Sequence, residues 1–354
     1  MSHTTEKREE QPGEAGNGKR EAGGPILVTG GTGFIGSHLV RALLAAGRRV
    51  RVLARTDIGH RASEIEFVRG SVADQGAVDR AVRGADTVFH LAACARPWVR
   101  DRQEFTTVNA EGTRLVCDAA LTHGVKRVVH VSTELVQDPV VDRTAYQRTK
   151  RAAEALVAGY VARGGDAVVV RPTRVYGPGP LNPANSVTRV IDLYARGWFR
   201  LRLADGGARA NYVYVEDVVA GLLLAAEHGA RGAAYLVGGE NLTLPELLAL
   251  VGEATGSRHI TLPIPRPAVR LLATVAELGG VLGIAPFITR DWVDLVSEDR
   301  PMSSQKAEAE LGYRPRSARE GVAATVAWLA SPPDPLSASR RGGTYRRHNP
   351  PGAP

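Results

Sequence analysis

The chain has 354 residues, 44% hydrophobic and 23% charged, a balance that supports a large buried core and excludes wholesale disorder. Residues 336–354 carry Arg340, Arg341, Arg346 and Arg347 without an acid and residues 1–24 are net −1, so the overall +8 leaves +5 for the 311 residues between. A surplus so dispersed, with no clustered basic helix, argues against nucleic acid as a partner and suits a phosphate-bearing small molecule.

The first 24 residues are charged and Gly-rich with no apolar segment, and read as a disordered leader rather than a signal peptide. The most apolar uncharged run, Leu278–Thr289, has 12 residues and contains Gly and Pro, too short to span a bilayer. A cytoplasmic protein without a membrane partner is expected. Cys94 and Cys117 show no CxxC spacing and the nine histidines no HxH or HExxH pattern, so neither a disulfide nor a metal site is expected.

From Pro25 onward short β-branched runs alternate with Ala/Leu-rich stretches. Ile26–Thr29, Arg49–Ala54, Ile65–Val68, Thr87–Leu91, Arg127–Ser132 and Ala167–Arg171 read as strands, apolar throughout and therefore buried on both faces. Between them Phe34–Ala46, Gln75–Val82, Asn109–His123 and Ala145–Arg163 have helical spacing of apolar residues. This alternation specifies an α/β fold with a Rossmann-type, doubly wound parallel sheet. After Arg171 a Gly/Pro/Asn loop leads into a region with fewer strands. Helices are expected near Val187–Arg196, Asp217–His228, Leu244–Ala254, Pro267–Gly280 and Ala318–Leu329, with strands at Asn211–Val215 and Ala234–Val237. The expected organisation is a dinucleotide-binding unit over 25–180, with a returning strand near 234–238. A smaller, mostly helical substrate-binding lobe follows over 181–330, then a disordered basic tail over 331–354.

The first strand runs into Thr29-Gly30-Gly31-Thr32-Gly33-Phe34-Ile35-Gly36 and then a helix. Glycines at 30, 33 and 36 allow a tight turn, close approach of the main chain to a pyrophosphate and tight helix–strand packing, with the helix N-terminus facing the anion. At the end of the second strand, where a carboxylate would grip the ribose of NAD, stand Ala54 and Arg55. A guanidinium there pairs with the 2′-phosphate of NADP, so NADP is favoured over NAD. Tyr146 and Lys150, four residues apart, share a helical face, and an ammonium there would draw the phenol's pKa down toward proton transfer with an alcohol oxygen. Lys150 is one of only five lysines against 40 arginines. Ser132 and Thr133, at the end of the fifth strand, add hydroxyls for the same oxygen.

With these residues assembled, the chain resembles the extended short-chain dehydrogenase/reductase superfamily over roughly residues 25–330. The motifs are TGGTGFIG at 29–36, HLAA at 90–93, Asn109 with Gly112 and Thr113, VSTELV at 131–136, YQRTK at 146–150, RPTRVYGP at 171–178 and NYVYVED at 211–217. The resemblance implies Tyr146 as proton donor or acceptor, Lys150 on the nicotinamide ribose and Thr133, with Ser132 beside it, on the reacting oxygen. It further implies cofactor contacts from Gly30, Thr32, Gly33, Phe34, Ile35, Gly36, Leu91, Ala92, Ala93, Asn109 and Pro172. Relatives carry Asp after the Gly ending the third strand, where this chain has Ser71; Asp74 is the nearest candidate for that contact. A homodimer through the helices bearing Asn109 and Tyr146 is implied by the same analogy.

Sugar-nucleotide epimerases in the superfamily tend to carry Asn where this chain has Arg174 and Arg where it has Ala210. The LAACARPW, VRVLART and PIPRPAVRLLATVAEL stretches resemble instead the 3β-hydroxysteroid dehydrogenase and dihydroflavonol reductase branch. Ala95, Trp98, Thr133, Pro172 and Val175 are expected to wall a site for a bulky, largely apolar alcohol or ketone. The alternatives are a nucleotide-sugar 4-epimerase or dehydratase with tightly held NAD, and a dinucleotide-binding regulator without turnover. Asp217 is expected to cap a helix.

Overall fold

A computed structural model describes residues 23–331, apart from 57–63, 97, 138–143, 183–184, 205–206, 282–285 and 287. The expected leader and tail therefore lie almost wholly outside the described residues.

Among the described residues twelve strands follow one another: β1 (Ile26–Thr29), β2 (Val50–Ala54), β3 (Ile65–Arg69), β4 (Thr87–His90), β5 (Arg127–Val131), β6 (Ala167–Pro172), β7 (Arg174–Tyr176), β8 (Leu201–Leu203), β9 (Arg209–Tyr214), β10 (Ala234–Val237), β11 (Glu240–Thr243) and β12 (Leu262–Ile264). Seven of them form one sheet in the order β10-β6-β5-β4-β1-β2-β3, every neighbouring pair parallel. The chain leaves β1 toward β2 and β3 and returns beside β1 as β4, so the order reverses there. That switch point is where open α/β sheets hold ligands at the strands' carboxyl ends.

The two-sided burial read from the sequence has a direct cause. Ile26 and Val28 of β1, with Val129 and Val131 of β5, face one core, which includes Leu39 and Leu222 of helices Phe34–Ala45 and Val215–His228. Leu27 and Val128, from the same strands, face a second core with Val78, Val116 and Val157 of helices Gln75–Val82, Gly112–Thr122 and Ala145–Ala162. Because both faces are covered, alternation has nothing to distinguish, and the strands read as unbroken apolar runs.

The remaining strands build smaller sheets. β11, β9 and β7 pair in that order, and β12 pairs with β8. Tyr176, Tyr212, Leu247 and Val322 form a separate core between the three-stranded sheet and helices Ser186–Ala195, Leu244–Thr255 and Ala318–Ala330. The last two helices begin with reciprocal capping boxes, Thr243 with Glu246 and Ser317 with Glu320. Asn211 staples these parts: its side chain accepts from Thr173 Oγ1 and Gly239 N, each at 2.8 Å, and donates to Gly239 O at 2.9 Å.

Three expectations are corrected. Asp217 does not cap Val215–His228; it lies inside the first turn, 6% exposed, and accepts from Arg316 Nε at 2.9 Å, pinning the later Arg316 segment to this helix. Val175 is not in a loop, because β7 turns it onto the main core. Asn109 does not open a helix: it sits in a π-helical stretch, Thr106–Glu111, that joins Gln103–Phe105 to Gly112–Thr122. Such widened turns recur where a helix must aim one side chain off its regular register.

Candidate active site

At the end of β1 the backbone turns sharply. Gly30 has φ of +72°, a conformation only glycine adopts readily, and a Cβ on it would lie 2.7 Å from Ala92 N. A Cβ on Gly36 would lie 2.2 Å from Gly30 O, so helix Phe34–Ala45 packs directly on the turn. Gly33 is exposed and begins that helix with no side chain capping it. Thr32 is partly exposed beside it, while Phe34 is buried and Ile35 packs on the core. This is a cradle with open helix N–H groups, and its geometry fits a dinucleotide pyrophosphate. Arg55 is exposed immediately beyond β2. Asp74 is committed elsewhere, its Oδ1 accepting from Gly76 N and Ala77 N to cap Gln75–Val82.

Beyond β4, Leu91, Ala92 and Ala93 run partly exposed past this turn, with Ala92 N donating to Thr29 Oγ1 at 3.2 Å. A buried polar line continues from there. Thr29 Oγ1 pairs with His90 Nδ1 at 2.8 Å, His90 Nε2 with Thr113 Oγ1 at 3.0 Å, and Thr113 donates to Asn109 O at 2.6 Å. Burial, and then the Lys150 charge, hold the His90 imidazole neutral with a pKa of about 3. The Asn109 side chain accepts from Cys94 N at 2.7 Å and donates to Cys94 O and to Thr149 Oγ1 at 3.2 and 3.0 Å. It thereby ties the loop after β4 to the helix bearing Tyr146 and Lys150. Asn109→Ala should strand these buried partners, lowering stability by about 2–3 kcal/mol in denaturant titrations, and should slow turnover by loosening that helix. An unchanged midpoint would show that the network is dispensable.

Helix Ala145–Ala162 starts at Thr144, whose hydroxyl accepts from Gln147 N at 3.0 Å. Gln147 Nε2 and Arg151 Nη1 then hold the carbonyls of Leu135 and Val136, fixing the 3₁₀ turn Glu134–Gln137 that follows β5. Lys150 is 2% exposed and donates to Val131 O at 2.6 Å. Burial lowers its pKa from 10.5 to about 8. Of the two hydroxyls after β5, Thr133 Oγ1 donates to Glu134 Oε2 at 3.1 Å and acts to lower the Tyr146 pKa, whereas the buried Ser132 Oγ has no partner among the described residues.

The electrostatics differ from expectation. Burial pushes the Tyr146 phenol well above its usual range, the Glu134 charge adds to this, and only the Thr133 hydrogen bond opposes them. The Lys150 ammonium is directed at the Val131 carbonyl instead. Tyr146 therefore holds its proton at neutral pH and is set up to donate it. Glu134 is the site residue that motif reading missed. Burial raises its carboxyl pKa, against the Arg174 charge and the Thr133 hydrogen bond, and its Oε2 accepts from Thr133 Oγ1 at 3.1 Å. Thr133 has a single hydroxyl proton, and that proton is given to Glu134. The signal was visible only as a charged residue directly after a strand-end hydroxyl.

Beside that 3₁₀ turn lies an open surface groove of about 540 Å³ lined by Gln137, Glu298, Asp299, Arg300, Pro301 and Met302. Pro172 is buried at the end of β6, Ala95 is exposed and Trp98 partly buried in the loop after β4, and none of these lines this groove. Arg174 points its guanidinium at Leu295 O and over the Tyr212 ring, and Ala210 is buried in β9.

The family model described as NAD dependent epimerase/dehydratase family matches residues 26–238. Sterol demethylase protein B of Methylococcus capsulatus is 33% identical over 323 residues, covering 86% of this chain and 97% of that protein. The 3 beta-hydroxysteroid dehydrogenase/Delta 5-->4-isomerase of Mycobacterium tuberculosis is 31% identical over 324 residues, covering 82% of this chain and 86% of that protein. Among solved structures, a Thermus thermophilus UDP-glucose 4-epimerase complex with NAD superposes with a TM-score of 0.67 at 28% identity, covering 86% of this chain and 98% of that one.

Proposed function

This chain belongs to the NAD dependent epimerase/dehydratase family of extended short-chain dehydrogenases/reductases, and we propose that it reduces a ketone on a bulky, largely apolar molecule to a secondary alcohol. The observation that carries this reading is the placement of Tyr146 and Lys150 on helix Ala145–Ala162, with Lys150 donating to Val131 O at the carboxyl end of β5, Thr133 just beyond it, and burial keeping the phenol protonated. Bound NAD(P)H supplies the hydride. Thr133 and Tyr146 would hold the carbonyl oxygen, and Tyr146 would deliver the proton as negative charge develops there. Lys150 would orient the nicotinamide ribose, and the Gly30–Gly36 turn would hold the pyrophosphate, with Leu91, Ala92, Ala93, Asn109 and Pro172 along the rest of the cofactor. A sterol- and a steroid-acting protein among the relatives support an apolar substrate body.

Arg55 favours NADPH over NADH by about 1–3 kcal/mol if it pairs with the 2′-phosphate. Arg55→Asp should reverse the order in fluorescence titrations of the two cofactors. Equal affinities that the substitution leaves unmoved would return Arg55 to the solvent.

The test of the whole reading is a carbonyl screen with NADPH and NADH, followed at the nicotinamide absorbance, together with cofactor analysis of the purified protein. Consumption of exchangeable NADPH with a sterol-, flavonoid- or polyketide-sized ketone supports it. The superposition on a UDP-glucose 4-epimerase favours a second reading, a nucleotide-sugar epimerase or dehydratase. Stoichiometric retained NAD and conversion of a UDP- or dTDP-sugar, with no apolar ketone turned over, would make that second reading the right one.

A further inference from the structure

Helix Arg266–Val281 exposes an apolar stripe. Its charged residues are paired, though partly exposed: Arg266 and Arg270 both reach Asp294, and Arg290 Nε reaches Glu277 at 2.9 Å. The residues it turns to solvent are Pro267, Ala268, Leu271, Leu272, Val275 and Leu278, none charged, with Leu271 68% and Leu278 63% exposed. A helix whose exposed stripe is uncharged and leucine-rich is not completed by water. β12 leads directly into it, and there the paired residues Leu262 and Leu201 of β12 and β8 are exposed as well. Trp198 and Ile260 flank these strands, 58% and 78% exposed. Between them stand the exposed Arg200 and Arg258, which have no ion-pair partner among the described residues.

We propose that this face docks on an anionic phospholipid surface, with the helix lying in the interface and Arg200 and Arg258 on headgroup phosphates. Leucines beside an interfacial tryptophan and unpaired arginines are the combination that peripheral amphipathic helices present to such surfaces. Among the described residues no helix is long and apolar enough to cross a membrane, so the attachment is peripheral. A second copy of the chain is the poorer occupant. A twofold contact sets a patch against itself, bringing unpaired arginines of one sign together. The proposal goes beyond the oxidoreductase reading and does not depend on it.

The experiment is flotation of the full chain with vesicles of phosphatidylcholine alone and with about 30 mol % phosphatidylglycerol. The chain should float with the anionic vesicles and at least about tenfold less with the neutral ones. Leu271→Glu with Val275→Glu should abolish flotation, and Arg200→Ala with Arg258→Ala should weaken it by about tenfold. Circular dichroism melts should match the parent, since all four side chains are exposed. Absence of flotation with either vesicle overturns the proposal. So does flotation that survives both double substitutions, which assigns it to another part such as the arginines at 340, 341, 346 and 347. A concentration-dependent dimer that Leu271→Glu dissociates without vesicles also overturns it, in favour of a second copy.

Discussion

Tyr146→Phe should lower kcat for carbonyl reduction by about 10³-fold while NADPH affinity stays within about twofold of the parent. The change removes a single oxygen and leaves the ring in place. Lys150→Met should be comparably inactive, for a different reason, and its stability makes the contrast informative. Burial that lowers the Lys150 pKa from 10.5 to about 8 disfavours the folded state by roughly 3 kcal/mol at neutral pH, where both folded and unfolded lysines are charged. Between pH 8 and 10.5 the unfolded chain keeps that proton and the folded chain has lost it, so this penalty fades and stability rises with pH. Lys150→Met should therefore be inactive yet no less stable than the parent at pH 7. For the parent, kcat/KM of reduction should be level up to about pH 8 and then fall as the ammonium loses its proton. Tyr146, raised rather than lowered, contributes no limb in that range. Near-parental activity in Tyr146→Phe with an unchanged pH profile would remove the phenol from the chemistry.

Gly36→Ala should be nearly as damaging, although it adds one methyl group far from the reacting atoms. That methyl carbon would lie 2.2 Å from Gly30 O and 2.9 Å from Gly31 Cα, both backbone atoms that no rotamer change can move aside. Helix Phe34–Ala45 must lift off the turn, which costs about 3 kcal/mol and takes its open N–H groups out of line with a pyrophosphate. NADPH binding should weaken by at least about hundredfold in fluorescence titration. Gly33→Ala is the control: its Cβ meets only Gly30 O, at 3.1 Å, on an exposed residue. Its stability should stay within about 1 kcal/mol of the parent, so any lost cofactor affinity would report on the cradle itself. Parental stability and affinity in Gly36→Ala would mean that the close approach is not required.

Much of the architecture is legible in the residues because each signal is local. Strands buried on both faces must be apolar throughout, helices between them must carry one apolar face, and a phosphate turn needs glycine where a Cβ has no room. Those rules locate the first six strands to within a residue, and they single out Gly30, Gly33 and Gly36. Tyr146 and Lys150 are legible for the same reason, since four residues along a helix is a fixed distance in space. Interactions between distant segments leave no such trace. β7, β8, β11 and β12 are three or four residues long and exist because partners far along the chain present their edges to them. The π-helical stretch that aims Asn109 at Cys94 and Thr149 depends on contacts 15 and 40 residues away. The rise of the Tyr146 pKa depends on burial and on the Glu134 charge, both set by folding; sequence spacing to Lys150 pointed the other way. Local geometry is written in neighbouring residues, whereas the field and solvation at an atom are sums over everything the fold brings near it.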